Sequence, residues 1–522
     1  MSSARSLKPI AIACLVVLGV ALLAVAFGVK PLPDNTQRRY ETAVPAGTNA
    51  PLDRYFARTV EEHPQASGFS LVADGVQAFA LRALTAQHAE RSLDVQYYIW
   101  NSDVTGILLI RELINAADRG VHVRLLLDDL DARAKNFALT AIDAHPNIEV
   151  RIYNPFASRE GVAGKVIEAL ASFSRINGRM HNKAWIADNR IAIAGGRNVG
   201  DEYFTASERL NFLDLDFAMI GPAVGEMSAA FDSYWNSDAV WPIATLNPEN
   251  DDPERFAALR VSAQARFEHA EQSTYGRALA SSGALQRIAA EPGEIHWSNR
   301  WQVLSDDPMK GQLEHVRLSR SAVLRGLSAA IERAHHEVEL ISAYFVPGEY
   351  GTEVLTGLAR AGAKVSILTN SLAATDVAAA HAGYANYRDA LIAGGASLWE
   401  LKPDPMSGSH SLSAFGSSGA SLHTKAVTID RQSLFVGSFN LDPRSVSLNC
   451  EQGVLVEHAE LATQSLQLLE RVRASAWRVN HGSGGRLEWS DGHQTVEREP
   501  GASLSRRTLA RVLRWLPIES QL

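Results

Sequence analysis

The sequence predicts an α/β protein of two similar domains, each a mostly parallel sheet flanked by helices. A motif occurs twice, as "HNKAWIADNRIAIAGGRN" from His181 and as "HTKAVTIDRQSLFVGSFN" from His423. The segments "GVHVRLLLDD" from Gly120 and "GAKVSILTNS" from Gly362 keep the same spacing. Each half therefore reads as strand, helix, strand, helix and then the motif, which is the order of an α/β domain.

The N-terminus carries an apolar, uncharged segment at 9–29, after Arg5 and Lys8. At about 1.5 Å per residue this helix would just span roughly 30 Å of hydrocarbon. The preceding positive charges favour a cytoplasmic N-terminus and export of the rest of the chain. A cleaved signal peptide is the alternative, because 24–26 is a small-x-small site. Either reading predicts an anchor or signal at 1–30 and a linker at 31–66.

The elements within each half follow from periodicity. "GILLIRELINAADRG" and "GTEVLTGLARAG" have helical spacing and end in glycine, as helices before a buried strand do. "VRLLLDD" and "VSILTNS" are apolar runs that end in polar residues. Ligands collect at such carboxyl ends of parallel strands. We predict a first domain over 67–295, a second over 296–500 and an amphipathic C-terminal helix over 501–522.

The repeated motif places a histidine and a lysine on one face. Residues i and i+2 of a strand share a face, so His181 projects with Lys183 and His423 with Lys425. The aspartates that follow lie at turns between two strands. We take Asp188 and Asp430 as catalytic candidates, with a purely structural turn role as the alternative.

Two such faces, one from each half, suit a phosphodiester substrate. Lysine ammoniums and the amides of Asn198 and Asn440, with the hydroxyl of Ser438, can bind the non-bridging oxygens. One neutral histidine can attack phosphorus while the other donates a proton to the departing alcohol. This chemistry requires neither a metal ion nor a cofactor. Each imidazole also needs a partner on its other nitrogen, and Asp214 and Glu451 hold matching places after the two motifs.

The doubled pattern His-x-Lys-x4-Asp-x6-Gly resembles the phospholipase D superfamily. The wider context, including "RSLDVQYYIWNSD", "NFLDLDF" and "GSFNLDPRSVSLNCE", looks like the bacterial cardiolipin synthases, particularly the C-type branch. The resemblance implies one active site shared by both halves, a phosphohistidine intermediate and metal-independent phosphatidyl transfer. It implies that His181 is the nucleophile and His423 the general acid, although the symmetry of the motifs leaves this assignment open. The first motif departs from Gly-Ser-x-Asn by carrying Gly-Gly-Arg-Asn.

The charge balance and the C-terminal segment indicate which partners the protein binds. The formal net charge of −8 and the lack of a basic tract interleaved with aromatic residues argue against nucleic acid. The C-terminal segment places Leu509, Val512, Leu513 and Leu516 on one helical face among arginines, beside Trp515. Such a helix suits an anionic membrane surface, and packing on the protein body is the alternative.

The sequence therefore predicts cardiolipin synthesis from phosphatidylglycerol and a second phospholipid. The alternatives are a phospholipase D that hydrolyses lipids to phosphatidic acid, a nuclease or other phosphodiesterase, and a catalytically dead lipid-binding scaffold. The expected partners are phospholipid substrates and the membrane surface, while no accessory protein is identified. The expected location is the bacterial inner membrane, with the catalytic domain in the periplasm.

Overall fold

The computed structural model describes residues 31–36, 38–159, 168, 172–247, 253–281, 294–312, 321–403, 422–516 and 518–522. The predicted anchor or signal peptide at 1–30 lies outside the described residues. Within these ranges, no helix combines the length and the apolar character needed to cross a bilayer.

Helices and strands alternate in both halves. The strands are β1 Ser67–Val72, β2 Ser92–Tyr97, β3 His122–Asp128, β4 Ile148–Tyr153, β5 Ala184–Ala187, β6 Ile191–Gly195, β7 Asp216–Ile220, β8 Val240–Pro242, β9 His296–Ser298, β10 Trp301–Ser305, β11 Glu337–Ser342, β12 Lys364–Asn370, β13 Ser397–Leu401, β14 Lys425–Ile429, β15 Ser433–Gly437, β16 Gln452–Glu457, β17 Ala476–His481, β18 Leu487–Ser490 and β19 Thr495–Val496. The α-helices are α1 Pro51–Glu61, α2 Gly75–His88, α3 Val104–Asp118, α4 Asp129–Ala132, α5 Asn136–Asp143, α6 Phe173–Asn177, α7 Pro222–Trp235, α8 Ile243–Leu246, α9 Pro253–Glu271, α10 Thr274–Ser281, α11 Ala322–Ile331, α12 Gly348–Arg360, α13 Ala378–Tyr384, α14 Arg388–Ala393, α15 Pro443–Ser447, α16 Ala459–Arg473 and α17 Leu504–Leu513.

The helix ends have local causes. Asp103 caps α3 by accepting a hydrogen bond from the backbone N–H of Gly106. Just beyond the ends of α3 and α12, Gly120 and Gly362 adopt φ values of +96° and +101°, where glycine has no Cβ penalty. These two glycines are the helix stops that the sequence predicts.

Both sheets are mixed, and the prediction of mostly parallel sheets is wrong. The first has the order β8-β4-β3-β2-β5-β6-β7-β1-β9, and the second β10-β16-β15-β14-β11-β12-β13-β17-β18-β19. Among the strands that the structure describes, parallel neighbours occur in β2-β3-β4 and in β11-β12-β13, where helices make the crossovers. The motif strands instead form antiparallel hairpins, β5-β6 and β14-β15, because a short turn cannot join parallel strands.

The chain passes from the first sheet to the second between Ser298 and Trp301. The domain limits given above remain a prediction. The two halves share one apolar core, in which Ala192 and Met219 of the first sheet belong to the same buried cluster as Leu434 and Val454 of the second. Burial of this common surface fixes the two motif hairpins relative to each other.

Candidate active site

Each motif forms a hairpin whose turn lies away from its histidine. A three-residue turn, 188–190, joins the two strands of the first hairpin, and Asp188 and Asn189 there have φ values of +50° and +53°, a left-handed conformation that aspartate and asparagine tolerate. The Asp188 carboxylate accepts hydrogen bonds from three consecutive backbone N–H groups, those of 90–92. Asp430 does the same with the N–H groups of 335–337. The structure therefore uses both aspartates to tie the hairpins to the starts of β2 and β11, and does not bring them to the imidazoles.

The two histidines lie where backbone segments of one half pair with backbone segments of the other. Met180 forms a parallel bridge with Cys450, and Leu213 forms one with Leu422. The backbone N–H of His181 donates to the carbonyl oxygen of Cys450 at 2.8 Å, and that of His423 to Leu213 at 2.9 Å. Each histidine thus lies beside the segment of the other half that carries an acid.

The acids and histidines pair across the halves. His181 Nδ1 lies 2.9 Å from Glu451 Oε2 and 3.0 Å from the carbonyl oxygen of Ser438. His423 Nδ1 lies 2.6 Å from Asp214 Oδ2. Because a carboxylate and a carbonyl only accept, Nδ1 of each neutral ring carries the proton, and Nε2 keeps its lone pair. The pairing therefore selects the tautomer with a nucleophilic Nε2.

The two lysines are almost fully buried. Lys183 and Lys425 are each 1% exposed, and each ammonium donates to the carbonyl oxygen of the histidine two residues earlier. Burial lowers the pKa of Lys183 well below its usual value and that of Lys425 to about 8. The carboxylates of Glu451 and Asp214 oppose this shift for both lysines, so the lysines and acids of the two halves share one electrostatic site.

The imidazoles are neutral in the substrate-free site. Burial, together with the two ammoniums and against the pull of Glu451, lowers the pKa of His181 to about 4. Burial and Lys425 lower the pKa of His423 to about 3, again against its acid partner. Burial alone would raise the pKa of Asp214, but its pairing with His423 and the charges of Lys425 and Arg197 lower that pKa to about 2. The resting site thus holds neutral rings between carboxylates and ammoniums.

The predicted substrate-binding residues fall into different settings. Asn198 Nδ2 donates to the hydroxyl of Tyr203 at 3.0 Å, so its amide is held by the protein. The hydroxyl of Ser438 donates to Glu451. Asn440 is 4% exposed, and among the described residues its Oδ1 has no hydrogen-bond partner. Asn440 therefore has an unused acceptor, and a hydrogen bond to a phosphate oxygen would have to come from its Nδ2 group.

The departure in the first motif has a steric cause. Gly196 takes the place of Ser438, and a Cβ there would lie 2.2 Å from Asp214 Oδ1. The corresponding acid in the second half is Glu451, whose side chain is one methylene longer than that of Asp214. The longer side chain leaves room for the side chain of Ser438. Arg197, 1% exposed, donates to the carbonyl oxygen of Asp214 at 2.6 Å. The Gly-Gly-Arg-Asn variant thus accompanies the shorter acid.

Two positioning residues were missed by the sequence analysis. Asp128, the last residue of β3, accepts from the backbone N–H of Met180 at 2.9 Å. Asn370, the last residue of β12, donates to the carbonyl oxygen of Leu422 at 3.0 Å. Both hold the backbone one residue before a motif histidine. The available signal was the polar end of each apolar strand, which was interpreted only as a ligand-binding edge.

Aromatic rings pack edge-on against both imidazoles. The ring centroids of Tyr98 and His181 are 5.1 Å apart, as are those of Tyr203 and His423. Phe212 lies 5.5 Å from His423. These rings exclude water and restrict rotation of the imidazoles. No cluster of three or more histidine, cysteine or carboxylate side chains suited to a metal ion occurs among the residues described.

Comparison with known proteins identifies the family. The domain described as "Cardiolipin synthase, PLD-like domain" matches residues 84–235 and 327–473, one copy in each half. The chain belongs to this family. It is 39% identical over 466 residues to "Cardiolipin synthase C" of Escherichia coli strain K12, covering 88% of this chain and 97% of the relative.

Other relatives extend the family likeness. An uncharacterized protein of Helicobacter pylori strain ATCC 700392 / 26695 is 30% identical over 82% of this chain and 84% of its own length. Among solved structures, phosphatidylserine synthase of Haemophilus influenzae Rd KW20 aligns with a TM-score of 0.56 at 12% identity, over 90% of this chain and 100% of that one. That likeness shows the two-domain fold shared with the family.

Proposed function

We propose that the protein makes cardiolipin by metal-independent phosphatidyl transfer from one phospholipid to the glycerol hydroxyl of phosphatidylglycerol. The observation that carries this proposal is the crossed arrangement of two His-acid pairs beside two buried lysines. The site has both halves of an acid/base pair and the positive charge that a phosphodiester needs. Membership of the cardiolipin synthase family supports phospholipids as the substrate class.

In the first step His181 Nε2 attacks the donor phosphorus. The P–N bond forms as the bond from phosphorus to the headgroup oxygen breaks, and His423 donates a proton to that oxygen. Glu451 stabilises the positive charge that develops on His181. Lys183 and Lys425, with Asn440, stabilise the charge on the non-bridging oxygens.

Protonation of His423 must accompany substrate binding. Its pKa is lowered by burial and by Lys425, whose charge the bound phosphodiester anion would neutralise. Binding of the anion therefore raises this pKa and favours the imidazolium that acts as general acid. The same anion keeps both buried ammoniums charged.

In the second step the free headgroup alcohol leaves and phosphatidylglycerol enters. Neutral His423 removes the proton from its glycerol hydroxyl, whose oxygen attacks phosphorus. The P–N bond breaks, His181 is restored and cardiolipin is released. Asp188 and Asp430 take no part in these steps and act by fixing the hairpins.

Hydrolysis to phosphatidic acid is the second candidate, because water can replace the acceptor hydroxyl at the same base. The buried aromatic contacts of Tyr203 and Phe212 with His423 favour transfer, since they reduce access of water to that base. We place the enzyme at the bacterial inner membrane with its catalytic domain in the periplasm, on the grounds of the apolar segment at 9–29 and the charges before it.

Lipid product analysis tests the proposal. Purified protein in mixed micelles of phosphatidylglycerol and phosphatidylethanolamine should form cardiolipin, and His181→Ala and His423→Ala should each abolish it. His493→Ala, at an exposed turn, is the matched control and should retain activity. Phosphatidic acid without cardiolipin would replace the transferase by a hydrolase. Product formation that persists in both active-site variants would overturn the proposal.

A further inference from the structure

The last helix of the chain presents an apolar surface that the protein body leaves uncovered. Eleven large hydrophobic side chains are exposed in the described part of the chain, and four of them lie within 504–516. Leu504 is 77% exposed, Val512 55%, Trp515 84% and Leu516 47%. Their spacing places them along one side of α17 and the turn that follows it. We call these four residues the α17 patch.

The opposite side of α17 is occupied by the protein. Ala510 and Leu513 pack with Leu372, Ala373 and Ala382. The guanidinium of buried Arg506 donates to the carbonyl oxygen of Thr375. The sequence placed Leu509, Val512, Leu513 and Leu516 on one face, whereas the structure turns Leu513 inward, leaves Val512 and Leu516 exposed and half-buries Leu509. Packing and exposure therefore belong to two different sides of one helix.

The charges within the segment that carries the α17 patch have a single sign. The segment 504–516 carries four arginines and no acidic residue, in a chain whose formal net charge is −8. Arg511 and Arg514 are exposed beside the patch, and Arg507 is half-buried. Exposed tryptophan and aliphatic residues flanked by arginines match the headgroup and acyl boundary of an anionic bilayer.

The α17 patch is connected to the active site through a short path. Arg506 holds the loop at 371–377, which leaves the end of β12. Asn370, the last residue of that strand, holds the backbone of Leu422 next to His423. In the same loop, the carboxylate of Asp376 accepts a hydrogen bond from the hydroxyl of Tyr344 at 2.7 Å. The charge of this carboxylate raises the pKa of Lys425, against the effect of burial. One loop thus joins the buried side of α17 to the residues that position His423.

We propose that the α17 patch docks on the surface of an anionic phospholipid bilayer and brings the active site to its lipid substrates. This inference rests on the proposed function, because it supplies the surface from which that reaction draws lipid. The arginines supply attraction to anionic headgroups, and the four hydrophobic side chains insert at the acyl boundary. Docking here is separate from any attachment through residues 1–30.

A site-specific fluorophore tests docking in the full chain. Cys14→Ser removes one of the two cysteines, and Cys450 is fully buried with its thiol pKa raised by burial to about 11, so it resists labelling. Val512→Cys then carries the probe. Val261→Cys, whose parent side chain is 76% exposed on α9, is the matched control. Both are placed in a His181→Ala background, which prevents lipid turnover.

The labelled proteins are reconstituted in vesicles that contain a spin-labelled quencher lipid. The vesicles are phosphatidylcholine alone or phosphatidylcholine with phosphatidylglycerol. We expect quenching at 512 that depends on phosphatidylglycerol, and little quenching at 261 in either vesicle. Arg511→Gln with Arg514→Gln should lower the docking equilibrium about thirty-fold, as the loss of two basic residues near a charged surface does.

Equal quenching at 512 and 261 would overturn the proposal, as would quenching at 512 that ignores phosphatidylglycerol or the two arginine substitutions. Because quenching requires no turnover, its outcome is independent of the proposed reaction. Phosphatidylglycerol-dependent quenching at 512 with no cardiolipin from the wild-type enzyme would support docking and overturn the transferase. Cardiolipin formation without phosphatidylglycerol-dependent quenching at 512 would support the transferase and overturn docking.

Discussion

Replacing Glu451 with glutamine removes one charge from the His181 pair while keeping the size of the side chain. Glu451 is fully buried, accepts from His181 Nδ1 at 2.9 Å and from the Ser445 hydroxyl at 2.9 Å, and also accepts from Ser438. Both serine hydroxyls can rotate to suit an amide. The change therefore falls mainly on the histidine.

The magnitude follows from what His181 becomes. During attack its ring acquires positive charge, and a hydrogen bond to a charged partner contributes about 1.5–3 kcal/mol. At 1.36 kcal/mol per factor of ten, losing that charge slows phosphohistidine formation about 10- to 150-fold. If the amide N–H₂ turns toward Nδ1, the ring is held with its proton on Nε2 and cannot attack. The loss then approaches about 10⁴-fold, as for a wrong tautomer in a catalytic triad.

Single-turnover phosphohistidine trapping, with cardiolipin formation measured in parallel, gives both rates for Glu451→Gln. The matched control is Glu457→Gln at the far end of β16, the strand that begins directly after Glu451; its side chain is 50% exposed and pairs with Arg300 at the surface. The control should keep the wild-type rate. A folded Glu451→Gln protein with a wild-type trapping rate would refute the reasoning, because the hydrogen bond to His181 would then have no role in attack.

Three further predictions concern the hairpins, the first motif and pH. Asp188→Asn and Asp430→Asn should each lower the free energy of unfolding by about 1–3 kcal/mol in denaturant titrations, because each weakens three backbone hydrogen bonds. Transfer per folded molecule should stay unchanged, and a selective loss of transfer would instead indicate a catalytic role. Gly196→Ser should displace Asp214 and slow transfer at least about tenfold. Gly225→Ser on α7, where a Cβ meets no atom within 4 Å, is the control and should keep the wild-type rate. Wild-type activity in Gly196→Ser would show that Asp214 tolerates displacement. Because the pKa of Lys425 is lowered to about 8, its ammonium is lost above that pH, and kcat/KM should fall at least about tenfold per pH unit. Burial also lowers the pKa of Lys183, so Lys425→Arg should make the fall less steep and Lys183→Arg combined with Lys425→Arg should remove it; a wild-type profile flat to high pH would contradict this.

The parts of the fold that periodicity predicts are those governed by local sequence. The helix stops at Gly120 and Gly362 need a positive φ, and the buried strands that follow them are apolar runs that end in a polar residue. The mostly parallel sheet was wrong because the two strands of each motif are joined by a three-residue turn and are therefore antiparallel. A sheet whose strands are joined partly by helical crossovers and partly by hairpins is mixed. The numbers of parallel and antiparallel strand pairs depend on which strands become neighbours in the folded protein.

The composition of the site could be predicted, but its connections could not. The repeat identified His181 and His423, and the positions after the motifs suggested Asp214 and Glu451. Nothing in the spacing indicates that each acid serves the histidine of the other half. That pairing depends on the bridges at 180 and 422, which arise from packing of the two halves. The hydrogen bonds of Asp128 lie within the first half, and they were missed because the polar end of β3 was interpreted only as a ligand-binding edge.

The crossed pairs also explain how two copies of one motif can take different roles. Neither half contains a complete His-acid pair, so both pairs are set by the interface and each can change without disturbing its own hairpin. The proton on His181 Nδ1 lies between Glu451 and the Ser438 carbonyl oxygen, a double contact that restrains the ring. The shorter Asp214 approaches His423 to 2.6 Å, with Gly196 against it. A nucleophile needs a fixed ring and an acid/base needs a strongly coupled proton, so this asymmetry supports His181 as the group that attacks.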